Sequence, residues 1–219
     1  MSARIQADTA TGRVYVWVRE RILDGTFPGG RLLSEGEVSD ALEVSRTPVR
    51  EAFLRLEAED MLELYPKRGA LVVSVSTTEL LEVHEARALV ETWAGRVVAG
   101  NPDRTAVTEQ LRQRISEARA ALEAGDVRAF QRGDRSFHTT LLAGAGNGLL
   151  ADFYGSLRDR QLRGGLRAAQ SLPGRGEEIL KQHEAIVDAL ERGDGDAVAT
   201  LLGTHLRRTA ELLGLSLPA

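Results

Sequence analysis

The residues best equipped for chemistry lie in the second half of this 219-residue chain. Asp134 and His138 are four apart, so on a helix they share one side. Phe130, Phe137 and Leu141 recur at helical spacing around them and make that side otherwise apolar. His183 sits in the same way among Ile179, Ile186, Val187 and Leu190. His205 sits among Val198, Leu201, Leu202 and Leu212. Three stretches thus each set a histidine into a face that should be core, and the whole chain has 4 histidines. Burying ionisable groups is costly unless they are paired or coordinate a metal. Three imidazoles and a carboxylate, with no thiolate, suit Zn²⁺, Ni²⁺ or another borderline divalent ion. The other reading is a buried hydrogen-bonded network of the same residues. His84, the fourth histidine, has no motif partner and reads as an ordinary residue.

The elements that must carry these residues are helical. From about residue 77 onward the pattern gives helices near 77–99, 104–124, 126–143, 148–164, 177–192 and 194–213, with 163–176 a loop or frayed helix end. One punctuation mark occurs twice, "ALEAGD" at 121–126 and "ALERGD" at 189–194. Each is a helix end, a C-cap glycine and an aspartate able to cap the next helix, and so a sharp helix hairpin. On the first of these helices Arg87 follows Leu80 and Val83 along an apolar stripe continued by Val90 and Ala94, with Glu91 four residues on as an ion-pair partner. Asn147 precedes "GLL" as a helix N-cap. The expected fold class is mainly α, with an all-helical bundle of six to seven helices at 76–219.

The first 75 residues read differently. A helix near 12–24 places Val14, Trp17, Val18 and Ile22 on one face. A short second helix starts at Ser34 with Glu37 as a capping-box partner and Val38, Ala41 and Leu42 as its apolar residues. In "VSRTPVREAF" (44–53), Pro48 marks a helix start, because the first helical turn has no intrahelical partners for its N–H groups. Ser45 or Thr47 can cap it. Val49, Ala52, Phe53 and Leu56 then face inward, and Arg46, Thr47 and Arg50 point out. Two helices, a tight turn and a polar helix N-terminus make the plan of a helix-turn-helix, whose second helix enters the DNA major groove N-terminus first. The β-prone run 61–75, turning at Pro66 and Gly69, would be a wing with Lys67, Arg68 and Gly69 at its tip. Glycine there permits close approach to a phosphate. A solvated, capped helix beside an ordinary hairpin is the plain alternative.

"LEVSRTPVREAFLRLEAEDMLELYPKRGALV" resembles the winged helix-turn-helix of GntR-type bacterial transcription regulators. The resemblance implies DNA contacts at Ser45, Arg46, Thr47, Arg50 and Gly69. It departs at Gly36, where the family often has arginine, and at Glu43 and Asp60, where glycine is usual. "D-x-x-F-H" at 134–138 with His183 and His205 resembles the metal signature of the FCD-type effector domain of the FadR subfamily. That resemblance implies one divalent ion, zinc foremost, inside the bundle, held by Asp134, His138, His183 and His205, with a small carboxylate completing its coordination. It also implies that Arg87, in "RALVE", and Asn147 serve the effector pocket, and that a homodimer reads operator DNA. In this family the ligand more often relieves repression.

The bulk numbers bound these readings. There is no cysteine, which excludes disulfides and thiolate metal sites. No apolar run spans a bilayer and the N-terminus has no signal-peptide core, so a cytoplasmic protein is expected. Net charge is −4, and the first 76 residues hold 10 Lys+Arg against 12 Asp+Glu. DNA binding must then rest on local charge placement. A metal-dependent enzyme is the rival function, since three histidines with an open position also describe catalytic zinc. A DNA-binding protein with a purely structural metal is the third.

Overall fold

A computed structural model of the chain describes residues 9–166 and 172–215. Residues 167–171, within the stretch read as a loop or frayed end, lie outside the described residues. The chain divides into two compact units, Met1–Val75 and Ser76–Ala219.

In the first unit α1 (Ala10–Leu23), α2 (Glu35–Leu42) and α3 (Arg46–Ala58) pack beside a small antiparallel sheet. Its strands are β1 (Leu32–Leu33), β2 (Leu62–Tyr65) and β3 (Gly69–Val72), in the order β1-β3-β2. The expected hairpin is β2–β3. β1 adds a third strand that two residues are too few to signal by alternation. It forms because Leu33 is fully buried while pairing with Ala70. The core takes Val14, Val18, Val38, Val49, Phe53 and Leu56. Ala41, expected on the inner face of α2, is exposed. Only half of the expected capping box forms: the Ser34 hydroxyl accepts from Glu37 N (3.0 Å), while the Glu37 carboxylate pairs with Arg31.

Glu43 ends α2 with φ 51° and ψ 45°, and Asp60 follows α3 with φ 56°. Both departures from glycine therefore occupy left-handed positions. Such a conformation costs a side-chain-bearing residue about 1–2 kcal/mol, and the extra freedom of unfolded glycine offsets about 0.4–1 of it. Glu43→Gly is expected to stabilise the first unit by about 0.5–1 kcal/mol. A rise in the urea midpoint, followed by circular dichroism, checks this; an unchanged or lower midpoint refutes it.

The second unit holds α4 (Thr77–Gly100), α5 (Thr105–Glu123), α6 (Val127–Gly144), α7 (Gly148–Gln161), α8 (Arg175–Glu191) and α9 (Gly195–Leu212). A π-helical turn, Leu162–Leu166, extends α7. Ser76 caps α4, its hydroxyl accepting from Glu79 N. Both repeated turns form as hairpins. Gly125 and Gly193 adopt φ 69° and 71°, and Asp126 and Asp194 accept from Ala129 N and Ala197 N. The most extensive helix contacts are α5 with α6 and α4 with α9. Gly95 makes the second pair possible, because a Cβ there would overlap Val198 and Leu202 of α9. The expected apolar stripes of α4, α6, α8 and α9 meet in one core, which includes Phe137, Leu141, Ile186, Val187 and Leu202. No helix among the described residues is long and apolar enough to cross a membrane.

Candidate functional site

Helices α6, α8 and α9 bring Asp134, His138, His183 and His205 together. One ligand atom from each lies within 4.8 Å of all the others, and all four residues are buried. His138 Nε2 and His183 Nε2 each stand 3.8 Å from Asp134 Oδ1. Bonds of about 2.1 Å in a tetrahedral set would place ligand atoms about 3.4 Å apart, so these two pairs would close by about 0.4 Å around an ion and the widest pair by at most about 1.4 Å.

The tautomers favour a metal. His138 Nδ1 lies 2.7 Å from Glu91 Oε2, and His205 Nδ1 lies 2.7 Å from Gln182 Oε1. Both partners are acceptors, so each Nδ1 carries the proton and each Nε2 presents a lone pair. His138 Nε2 and His183 Nε2 are buried without a hydrogen-bond partner among the described residues. The His183 ring stacks on Phe137 at 3.8 Å, which sets its plane. Burial, then the neighbouring His138, pushes His183 down to about 3. Burial followed by His183 and His138 holds His205 well below the ordinary range. Both are thus neutral, as ligands must be. Burial alone would raise Asp134, but the Arg158 guanidinium foremost outweighs it and keeps the carboxylate ionised. Arg158 Nη2 donates to Asp134 Oδ2 at 2.8 Å.

Beside this set lies a second buried network, mostly unannounced by sequence pattern. Arg87 Nε donates to Glu91 Oε1 (2.7 Å), the ion pair expected from spacing. Tyr154 donates to the same oxygen at 2.9 Å. Burial alone would raise Glu91, but Arg87 and then His138 hold it well below the carboxylate range. His84, read as ordinary, is fully buried here, 3.2 Å from Gln161 Nε2. Burial, then Arg87, lowers it to about 3. Arg158, Gln161 and Tyr154 were missed because nothing in "DFYGSLRDRQ" separates buried polar positions from a solvated face. Asn147 is exposed, and its Oδ1 accepts from Leu150 N at 3.1 Å as the cap of α7. Trp93 is 37% exposed.

In the first unit Arg46, Arg50, Lys67, Arg68 and Gly69 line one cleft of about 690 Å³ with Ser34, Glu35 and Gly36. Ser45 and Thr47 are exposed at the start of α3. Ser45 holds the N-cap position but makes no side-chain cap bond, which leaves its hydroxyl to other partners. Arg50 Nε donates to both Glu35 oxygens, at 2.7 and 2.8 Å. Gly69 has φ 110°, and a Cβ there would overlap the Leu33 carbonyl oxygen. The β1–β3 contact is therefore one reason for glycine at this position.

The sequence pattern of the FCD domain matches residues 82–208, and that of "Bacterial regulatory proteins, gntR family" matches residues 10–72. The chain belongs to the GntR family and carries an FCD domain. Relatives cover this regulator almost end to end. The "Probable D-xylose utilization operon transcriptional repressor" of Paenarthrobacter nicotinovorans is 30% identical, across 94% of this chain and 89% of its own. The HTH-type transcriptional repressor RspR of Escherichia coli is 30% identical, across 91% and 86%. Among solved structures, E. coli McbR/YncC superposes with a TM-score of 0.80 at 21% identity, covering 94% of this chain and 97% of that one. A GntR transcriptional regulator of Rhodococcus sp. RHA1 gives 0.77 at 26% identity, covering 94% and 98%. This GntR-family protein is a transcription regulator and not an enzyme, which disposes of the metalloenzyme reading.

Proposed function

We propose that this regulator is a homodimeric, ligand-responsive repressor acting on operator DNA in the cytoplasm. Its helical unit would hold one divalent ion, zinc foremost, on Asp134, His138, His183 and His205. A small carboxylate would complete the coordination, with Arg87 as its fork-shaped partner. When bound, the ion supplies a Lewis-acidic anchor for an anionic ligand. The observation that carries the reading is the buried Asp/His₃ group backed by Glu91 and Gln182. A bundle that only had to fold would fill those positions with leucine. Arg87 supports the acid: its Nη2 is buried without a partner among the described residues. Repression is favoured by the relatives, several of which are named repressors.

In the DNA-binding unit the polar start of α3 would read base edges. Lys67 and Arg68 at the wing, with Ser45 and Thr47, would take phosphates. Arg50 would leave Glu35 on reaching DNA, which makes Glu35 a guard against unrelated anions. Arg46→Ala and Arg50→Ala are each expected to weaken operator binding about 5- to 150-fold. Affinity should also fall steeply with salt. Fluorescence anisotropy on a labelled operator fragment reads both. Unchanged affinity in both variants, with helicity intact, would remove α3 from the DNA interface.

A further inference from the structure

The outer side of α4 carries three large apolar residues that the core does not take up. Leu89, Trp93 and Val97 follow one another at four-residue spacing and all are exposed, Leu89 by 73%. A helix side that met only water would be polar there. The neighbouring helix enlarges the patch. α7 runs antiparallel to α4, with Arg160 Nε donating to Glu79 (3.0 Å) and Tyr154 donating to Glu91 (2.9 Å). Seven residues on from Glu79 lies Ala86, and seven back from Arg160 lies Phe153, so Phe153 stands beside the middle of α4 on the flank that carries Arg160. Phe153 is 47% exposed, and Leu149, one turn before it, is 83% exposed.

Charge decides what covers this patch. Glu85 and Arg96 border the α4 stripe and are both exposed. They lie eleven residues apart, about three helical turns, so they share one side of the helix. Their midpoint falls between residues 90 and 91, and the midpoint of Leu89 and Trp93 falls at 91. A two-fold axis at that level, relating two antiparallel copies of α4, therefore sets Glu85 against Arg96 of the second copy, and does so twice. The same axis sets Leu89 against Trp93 at the centre and Val97 against the half-buried Ala86 on the other flank. One surface thus complements itself in charge and in apolar contact at a single register, as an isologous interface requires. Arg96 can make the exchange, because its contact with Asp196 (3.3 Å) joins side chains 56% and 93% exposed and holds weakly. The five apolar side chains, present on both copies, offer on the order of 1,000 Å², the size that a specific interface needs.

We propose that this face is the contact between two copies of the chain. α4 packs antiparallel on α4 of the second copy, with Leu89 on Trp93 at the centre, Glu85 on Arg96 along one flank, and Leu149 and Phe153 of α7 closing the other. This rests on the homodimer reading above and gives that dimer its surface and its register.

The test is sedimentation velocity on the full chain over a micromolar concentration series, with circular dichroism confirming that each variant keeps its helicity. Wild type is expected to be dimeric. Leu89→Glu is expected to weaken the dimer at least about 100-fold, since it buries a charge twice at the centre. Glu85→Arg and Arg96→Glu are each expected to weaken it at least about tenfold, because each sets two pairs of like charges together. Mixed one to one, these two variants are expected to form a mixed dimer of about wild-type affinity, since each then offers the charge that the other lacks. Wild-type affinity in Leu89→Glu, or in both charge variants, puts the dimer contact elsewhere and overturns the proposal while the homodimer reading stands. A mixture that stays as weak as its components overturns the register and the proposal with it. A wild-type chain that is monomeric throughout the series removes the homodimer reading as well and leaves the face to a different partner.

Discussion

His183→Ala is expected to lower metal affinity more than about 100-fold, because changes merely behind a ligand already cost about 10- to 100-fold. His183 comes from α8, opposite the α6 pair, and no other imidazole of that helix can replace it. A group bound only to the folded state stabilises it, so a 100-fold loss at saturation removes about 2.7 kcal/mol. Metal analysis of the purified protein and thermal unfolding with and without chelator read both effects. Wild type should melt earlier after chelation, and His183→Ala should melt alike in both conditions. Full occupancy in both His138→Ala and His205→Ala would contradict the ligand set. The pH dependence has a definite sign. His183 is depressed from 6.5 to about 3, so its contribution to stability is complete above 6.5 and is lost as pH falls toward 3. Metal binding weakens in the same direction, since protons compete for the imidazoles.

The larger loss of stability is expected at Glu91. Its Oε1 accepts from Arg87 and Tyr154, and its Oε2 faces His138 Nδ1. Glu91→Ala strips all three at once and leaves a guanidinium buried with one fewer counter-charge. Removing one partner of a buried pair costs about 3–5 kcal/mol. Glu91→Gln keeps the shape and two acceptor positions for donors but loses the charge, and should fall between. Urea unfolding of the three proteins orders them. A cost below about 1 kcal/mol for Glu91→Ala would mean that the arginine finds another partner, and the network would need redrawing.

Much of this was legible in the residues. Histidines at core spacing on α6, α8 and α9 are visible because an apolar stripe makes a polar intruder conspicuous. The two Gly-Asp hairpins are visible because cap and turn chemistry are local. Pro48 and the polar start of α3 are visible for the same reason. What escaped has a common cause. Arg158, Gln161 and Tyr154 lie on α7, whose inner face is polar, and period alone does not separate such a face from a wet one. His84 escaped because its partner Gln161 is 77 positions away. β1 escaped because two residues carry no alternation. Ala41 was placed inward because a short helix constrains its own phase weakly.

The pairing of α4 with α9 carries a consequence for how the domain comes into being. α5 and α6 are joined by a tight turn, so their contacts can form as soon as both helices exist. α4 finds its main partner only after more than ninety further residues. His205 arrives on that same late helix. A ribosome therefore releases Asp134 and His138 well before His205, and the emerging chain offers an incomplete set until α9 is made. Capture of such an ion would be deferred to the step in which α9 docks against Gly95. The metal would act as a latch on a finished bundle, not as a seed for its folding.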